Sequence, residues 1–402
     1  MSNPGGRQRR VLRLDGVRAI AALSVLCFHV WLYRAERPHG RRTELLDQVF
    51  FHASGGLICF FVLSGYLLYG PFARAALTRG PAVAIGPYAR RRAARIVPGY
   101  WVCGAGCLVL YQAVGFHSIT PAAHELPAFA FFLHNYSLAT MGDLNPVMWT
   151  LGVEVAFYAL LPLVAWAALR LVPARVGPQL ALVGALIVIT PVWDVVVLTQ
   201  GGDPLLTRAL PAYLGSFGLG MLVAVWAQSR AAGGTSQRRL GPGLTAGLIA
   251  AAAIVLIGDA MCEENGWWLR DGIFQDGILR PQVQATLVGH LWVASAFALL
   301  VAAAACGSGP AVRWLGWRPL AAIGTVSYGL YLWHLPLLIV MDRAGLLPTA
   351  LALRLVVVLA VSLAAAAASW RFVERRWIRG RSAAGRGEQP RRDLLLAAHH
   401  AR

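Results

Sequence analysis

The sequence predicts an all-α protein, a polytopic transmembrane helix bundle of about ten spans with its N- and C-termini cytoplasmic. Three observations predict this class. The 402 residues are 57% hydrophobic and 13% charged, with a mean hydropathy of +0.58. That balance belongs to a chain dissolved in lipid, not to a water-facing domain. Ten apolar segments reach spanning length, roughly 14–33, 49–70, 96–116, 146–169, 177–199, 208–228, 243–261, 284–306, 319–340 and 350–371. About 20 helical residues at 1.5 Å each cover the 30 Å of a bilayer core. The arginines supply the third observation. With the N-terminus inside, 26 of the 36 fall in inner segments, 8 in outer loops and 2 (Arg18 and Arg354) within spans. This is the positive-inside distribution.

The net charge of +18 does not point to nucleic acid. The arginines lie in short clusters between apolar runs, and no basic, aromatic-interleaved domain exists to hold a strand. Three divisions follow: a basic cytoplasmic N-terminus (1–13), a ten-span membrane domain (14–377) and a basic cytoplasmic tail (378–402) expected to be disordered. The basic N-terminus followed by an apolar run imitates a signal peptide. No small-residue cleavage site follows it, so the run is expected to stay as the first span.

That first span carries Asp15 and Arg18 near its start and His29 near its end. Arg18 and His29 are eleven residues apart, which on a helix is about 20° of rotation and three turns of rise. Both therefore point the same way. An intramembrane arginine costs at least about 2.5–3.5 kcal/mol unless its charge is answered, so the default reading is a functional face.

Span two contains Phe60-Phe61-Val62-Leu63-Ser64-Gly65-Tyr66, where a Ser-Gly pair also allows close helix approach. The next inner loop carries Arg90-Arg91-Arg92-Ala93-Ala94-Arg95. Part of this cluster is topology signal, but Arg92 and Arg95 share a helix face and make a fork suited to phosphate. The apolar stretch 126–133 (LPAFAFFL) is too short to cross and is expected to be re-entrant or interfacial within the outer loop. Span four opens Trp149-Thr150-Leu151-Gly152-Val153-Glu154, placing a carboxylate two turns deep, similar in depth to His29. Such a group needs a partner. In span nine, Ser327, Tyr331 and His334 share a face. The tenth span leaves through Trp370-Arg371-Phe372-Val373-Glu374-Arg375, expected to be a structural ion-pair cluster.

Of the six cysteines, five sit in apolar runs, where a thiol behaves as a small core residue. Cys103 and Cys107 share a face but lack further ligands, so no metal site and no disulfide framework are expected.

The ordered series Asp15-Gly16-x-Arg18 with His29, FFVLSGY, RRxxR, WTLxVExxFY and SYxxYLWHxP resembles the membrane acyltransferase-3 family over about 13–377. The resemblance implies a ten-span enzyme that moves an acyl group, typically acetyl, from cytoplasmic acyl-CoA to a hydroxyl. Carried over by position, the family's Arg-x10-His motif falls on Arg18 and His29, and its Arg-x-x-Arg motif on Arg92 and Arg95. Gly152 departs from the serine expected before the Val-Glu pair. No additional esterase-like domain, as some relatives have, is expected after the tenth span.

The expected catalytic residues are His29, Arg18 and Glu154, with His29 as general base and Glu154 orienting or stabilising its ring. Substrate-binding residues are expected at Arg92, Arg95, Trp149, Ser64, Tyr331 and His334. No bound cofactor is expected; acyl-CoA, as acetyl-CoA, is a co-substrate. The implied partners are that donor, the lipid bilayer of a bacterial plasma membrane, and a hydroxyl-bearing acceptor. A cell-surface glycan, a lipid-linked sugar and a secondary metabolite of polyketide type all fit that acceptor. A transporter or flippase of a glycan or lipid-linked intermediate is the competing reading, disfavoured by the absence of inverted repeats. A non-catalytic membrane protein of the same architecture is the third, opposed by the intact His29.

Overall fold

The computed structural model describes residues 4–34, 45–200, 203–232, 239–264 and 286–378. Among these the chain is helical throughout, with no strand beyond a single parallel bridge between Leu240 and Gly307. Ten long helices carry the architecture: α1 (Pro4–Leu32), α2 (Gly56–Thr78), α3 (Ile85–Ala113), α4 (Trp149–Arg170), α5 (Val176–Thr199), α6 (Leu210–Ala232), α7 (Pro242–Glu264), α8 (Thr286–Cys306), α9 (Ser327–Arg343) and α10 (Leu351–Ser369). Each overlaps one apolar segment read from the sequence.

By length and composition, seven of these helices are able to cross a membrane. An eighth span results if Arg318–Thr325 and α9, bent by 70° at the break between them, are taken as one. The sequence predicts about ten. The difference lies in α1, which carries Asp15, Arg18 and His29, and in α8, whose apolar stretch His290–Cys306 is shorter. The described part of the basic N-terminus, from Pro4, is the first three turns of α1 and no separate segment. The tail beyond Ile378 lies outside the described residues.

Small residues set how the bundle closes. The α2–α6 crossing is built on two glycines: a Cβ on Gly65 would overlap the Phe217 carbonyl, and one on Gly220 would overlap that of Val62. Backbone then meets backbone, the close approach that apolar lipid cannot reward but van der Waals packing can. Phe217 stacks on Phe157 of α4 with ring centroids 4.0 Å apart, filling the core on that side. A second core gathers Val25 and Val30 of α1, Tyr100, Cys103 and Tyr111 of α3, and Leu330 and Leu338 of α9. Helix α1 runs between the two cores and touches α2, α8, α9 and α10.

Two charged groups within the bundle show how such charge is answered. Arg354, 3% exposed, donates to the Tyr33 carbonyl at 2.7 Å and pairs with Asp342. Asp47 accepts from the Trp31 indole at 2.7 Å and from Arg34 at 2.8 Å. The expected ion-pair cluster at the end of α10 is built otherwise: the chain makes a π-helical turn over Trp370–Glu374, and the buried Glu374 carboxylate accepts from Ser369 at 3.0 Å.

The stretch 126–133 forms only the short helix Leu126–Ala130, reversed at Phe132, whose φ of 63° is left-handed. The loop then folds inward. His134 and Asn135 are buried, His134 stacks on Phe129 at 4.9 Å, and burial pushes its imidazole down to about 4. Cys103 and Cys107 are fully buried, and Cys103 faces the Leu332 carbonyl and the Asn145 amide, as a small core residue would.

Candidate active site

The two cores part where α1, α2, α3, α4 and α9 meet, leaving a cavity of about 750 Å³, part of it open to the exterior. Six of the nine residues singled out from the sequence line it: Arg18, Ser64, Arg92, Arg95, Glu154 and Tyr331.

The arginines come from two helices. On α3, Arg90 and Arg91 face outward, whereas Arg92 and Arg95, one turn apart, turn into the cavity. Arg18 of α1 joins them and is held by Asp15, three residues back, at 2.8 Å. Among the described residues Asp15 is the carboxylate ion-paired to Arg18, and Glu154 lines the same cavity, so the three guanidiniums outnumber the carboxylates that line or pair within it and suit an anion.

Glu154 lines the same cavity. Its Oε1 accepts from Ser64 at 2.7 Å and from the Tyr158 phenol at 2.5 Å. The carboxylate is thereby fixed across α2 and α4. These are not the partners expected from the sequence: Glu154 is not hydrogen-bonded to His29. Equal depth along two helices does not bring side chains together when the faces turn elsewhere. Tyr158, one helical turn beyond Glu154, stands in the quoted motif but was not singled out; its i, i+4 spacing was the available signal.

Further along, Tyr331 closes the cavity. Its hydroxyl pairs with Thr150 at 2.8 Å and donates to the Val147 carbonyl at 3.1 Å, while Phe60 abuts its ring at 5.8 Å. Ser327 and Tyr328 reach the cavity because the chain bends just before them, at Val326. The sequence reads 319–340 as one span, and the sharp bend is what it missed.

His29 and His334 lie beyond Tyr331, outside the cavity lining but joined to it, with the His334 ring 5.9 Å from that of Tyr331. Their rings approach to 5.0 Å, and His334 Nε2 sits 3.2 Å from His29 Nδ1. The backbone settles the tautomers. His29 Nδ1 is 2.8 Å from the Val25 carbonyl, and His334 Nδ1 is 3.1 Å from that of Leu330. A carbonyl only accepts, so each Nδ1 carries the proton and each Nε2 of the neutral rings keeps a lone pair. His29 Nε2 has no hydrogen-bond partner among the described residues. It is a free base.

Trp149 is not brought into the site. Its ring lies under Arg208 at 5.5 Å and against Tyr213 at 5.4 Å, outside the cavity lining. The unexpected Gly152 also has a local reason. The Asn135 side chain, which donates to the Trp149 carbonyl at 2.6 Å, occupies the place where a side chain at 152 would go.

The family model described as an acyltransferase domain, acyltransferase-3, matches residues 11–371. Two bacterial relatives are similar over most of this chain. YrhL of Bacillus subtilis strain 168, assigned by name to the peptidoglycan O-acetyltransferases, is 25% identical over 386 residues, covering 91% of this chain and 55% of that protein. The peptidoglycan O-acetyltransferase OatA of Listeria monocytogenes serovar 1/2a is 25% identical over 354 residues, covering 82% of this chain and 50% of that protein. The chain thus spans about half the length of these relatives. No solved structure matches it. With the family model covering nearly the whole chain, from the start of the Arg18–His29 face through the His334 helix to Arg371, the protein belongs to the acyltransferase-3 family.

Proposed function

We propose that the protein is a multi-pass O-acyltransferase of a bacterial plasma membrane, with about ten spans and both termini cytoplasmic. It moves an acetyl group from cytoplasmic acetyl-CoA to a hydroxyl of a cell-surface glycan, with His29 as general base. The observation that carries this reading is the cavity with Arg18, Arg92 and Arg95 on one wall and the His29–His334 pair beyond its far end. Family membership and the names of the two relatives favour acetyl as the acyl group and a peptidoglycan-type glycan as the acceptor.

Acyl transfer needs a hold on the donor, a base for the acceptor and a path between them. The three arginines suit the phosphates of coenzyme A, as charge-assisted donors to phosphate oxygens. Arg18 and His29 are separated by about 16 Å along α1, so an extended thiol arm reaching from one to the other would lay its thioester near the ring. His29 Nε2 takes the hydroxyl proton as the oxygen attacks the thioester carbonyl. The C–O ester bond forms, the C–S bond breaks, and the proton passes from the imidazolium to the departing thiolate, releasing coenzyme A. Glu154, held by Ser64 and Tyr158, lies between the two ends and balances the cationic wall.

The test is coenzyme A release by the full chain in nanodiscs, given acetyl-CoA and peptidoglycan fragments or other glycan acceptors. Release should depend on acceptor and should vanish in His29→Ala, whose fold is verified by its elution and thermal melt. Retained turnover in His29→Ala would remove the base assignment. Acceptor transport without coenzyme A release would replace the enzyme with a flippase.

A further inference from the structure

We infer that His334 is a positioning residue for His29, fixing the base's tautomer and accepting its Nδ1–H when the ring becomes charged, and is not a substrate contact. The inference rests on the general-base reading above and goes beyond it by giving the base a partner.

The geometry leaves His334 little else to do. Its side chain is 1% exposed, and both ring nitrogens are committed, Nδ1 to Leu330 at 3.1 Å and Nε2 to His29 at 3.2 Å. No atom remains for a substrate. The tautomer assignments agree with one another: the His29 Nδ1–H is shared between the Val25 carbonyl and the His334 Nε2 lone pair. Both acceptors pull on the same proton, which holds His29 in the form whose Nε2 is basic and sets its ring orientation about the Cβ–Cγ bond. On gaining a second proton at Nε2, the His29 ring becomes a stronger donor at Nδ1. The lone pair on His334 then strengthens its bond to the charged form. The arrangement assigns to a neutral imidazole the work that a carboxylate performs beside the histidine of a serine-hydrolase triad.

The residues around the pair fit this assignment. Tyr331, one turn before His334 on α9, packs on its ring and is locked by Thr150 of α4 and Val147 just before it, so His334 cannot rotate away without disturbing the α4–α9 contact. Phe28 packs on His29 edge-on, with ring centroids 5.0 Å apart. Phe28 offers no competing acceptor to Nδ1, and the Tyr331 hydroxyl is engaged with Thr150 and Val147.

Two measurements on the full chain in nanodiscs test the inference, using His334→Ala and His334→Gln. The Gln amide oxygen is placed to accept from His29 Nδ1–H, whereas Ala offers nothing. Loss of an orienting partner is expected to lower kcat about 10–100-fold in His334→Ala, with KM for acetyl-CoA and for the acceptor unchanged. His334→Gln should recover part of kcat. The second measurement needs no substrate: nitrogen NMR of protein labelled with 15N-histidine, the His29 signals being identified by their loss in His29→Gln. The Nδ1–H tautomer is expected in the wild type, and a mixture of tautomers in His334→Ala. A raised KM with kcat intact would overturn the inference and make His334 a substrate contact. Unchanged His29 signals in His334→Ala would also overturn it. If no variant or wild type releases coenzyme A, the acyl-transfer reading fails, while the tautomer measurement still decides the histidine pair.

Discussion

Arg92 and Arg95 are distinguished from their neighbours by where a helix points them. Arg90 and Arg91 are exposed, whereas one turn of helix places the other two guanidiniums in the cavity beside Arg18. If the wall holds donor phosphates, each of Arg92→Ala and Arg95→Ala should raise the KM for acetyl-CoA about tenfold or more, the worth of a charge-assisted contact, with a smaller change in kcat. Donor titration under acceptor saturation checks this, with Arg91→Ala as the control. Equal KM values in all three variants would return Arg92 and Arg95 to topology. Glu154 shows the same principle from the other sign: an intramembrane carboxylate is kept by two hydroxyl donors, Ser64 and Tyr158, from different helices.

The α2–α6 pair is the element on which the site rests, because Ser64 stands immediately before the glycine at its crossing. Gly65 meets the Phe217 carbonyl so closely that a methyl group has no place, and a backbone carbonyl cannot step aside as a side chain tip can. Gly65→Ala is expected to separate the helices and destabilise the protein by about 1–3 kcal/mol. The readout is a lowered thermal midpoint in detergent. Gly142→Ala, at a position where nothing lies within 4 Å, should leave the midpoint unchanged. A Gly65→Ala variant as stable as the wild type would mean that the crossing tolerates a wider spacing. The bend before α9 is a second such element. Gly324 lies against the Asp15 backbone, so the short helix Arg318–Thr325 packs on α1 while α9 turns away to carry Tyr331 and His334 along the site.

At the scale of the whole molecule, the histidine pair lies next to Tyr331 of the cavity lining, and the proposed reaction requires a path past Tyr331 that joins the two sides of a membrane. Both termini are then expected on the cytoplasmic side. Fusion of a fluorescent reporter that matures only in the cytoplasm should give signal at the N-terminus and at the C-terminus alike. A C-terminal fusion active only outside would show an odd number of spans and would move at least one arginine cluster across the membrane. Within each helix the relevant side chains were legible beforehand, since the Arg18–His29 alignment, the Arg92–Arg95 fork and the Ser327–Tyr331–His334 stripe are matters of rotation per residue. Across helices they were not: Glu154 finds Ser64 of α2 instead of His29, and Trp149 turns toward Arg208 and Tyr213 instead of the cavity.

The sequence by itself determined an all-helical membrane chain, the approximate place of each long helix, the family, and which residues share a face. Each of these depends on local quantities, namely apolar length, charge placement and the 100° step of a helix, which need no knowledge of neighbours. The tertiary structure alone decided that His29 meets His334, 305 residues away, that the span containing His334 is sharply bent, and that six of the chosen residues share one cavity. Helical periodicity states the direction in which a side chain points. What it points at is set by which helices pack together, and that is chosen by small-residue contacts such as Gly65 on Phe217 and Gly324 on Asp15, through close packing summed over the whole bundle.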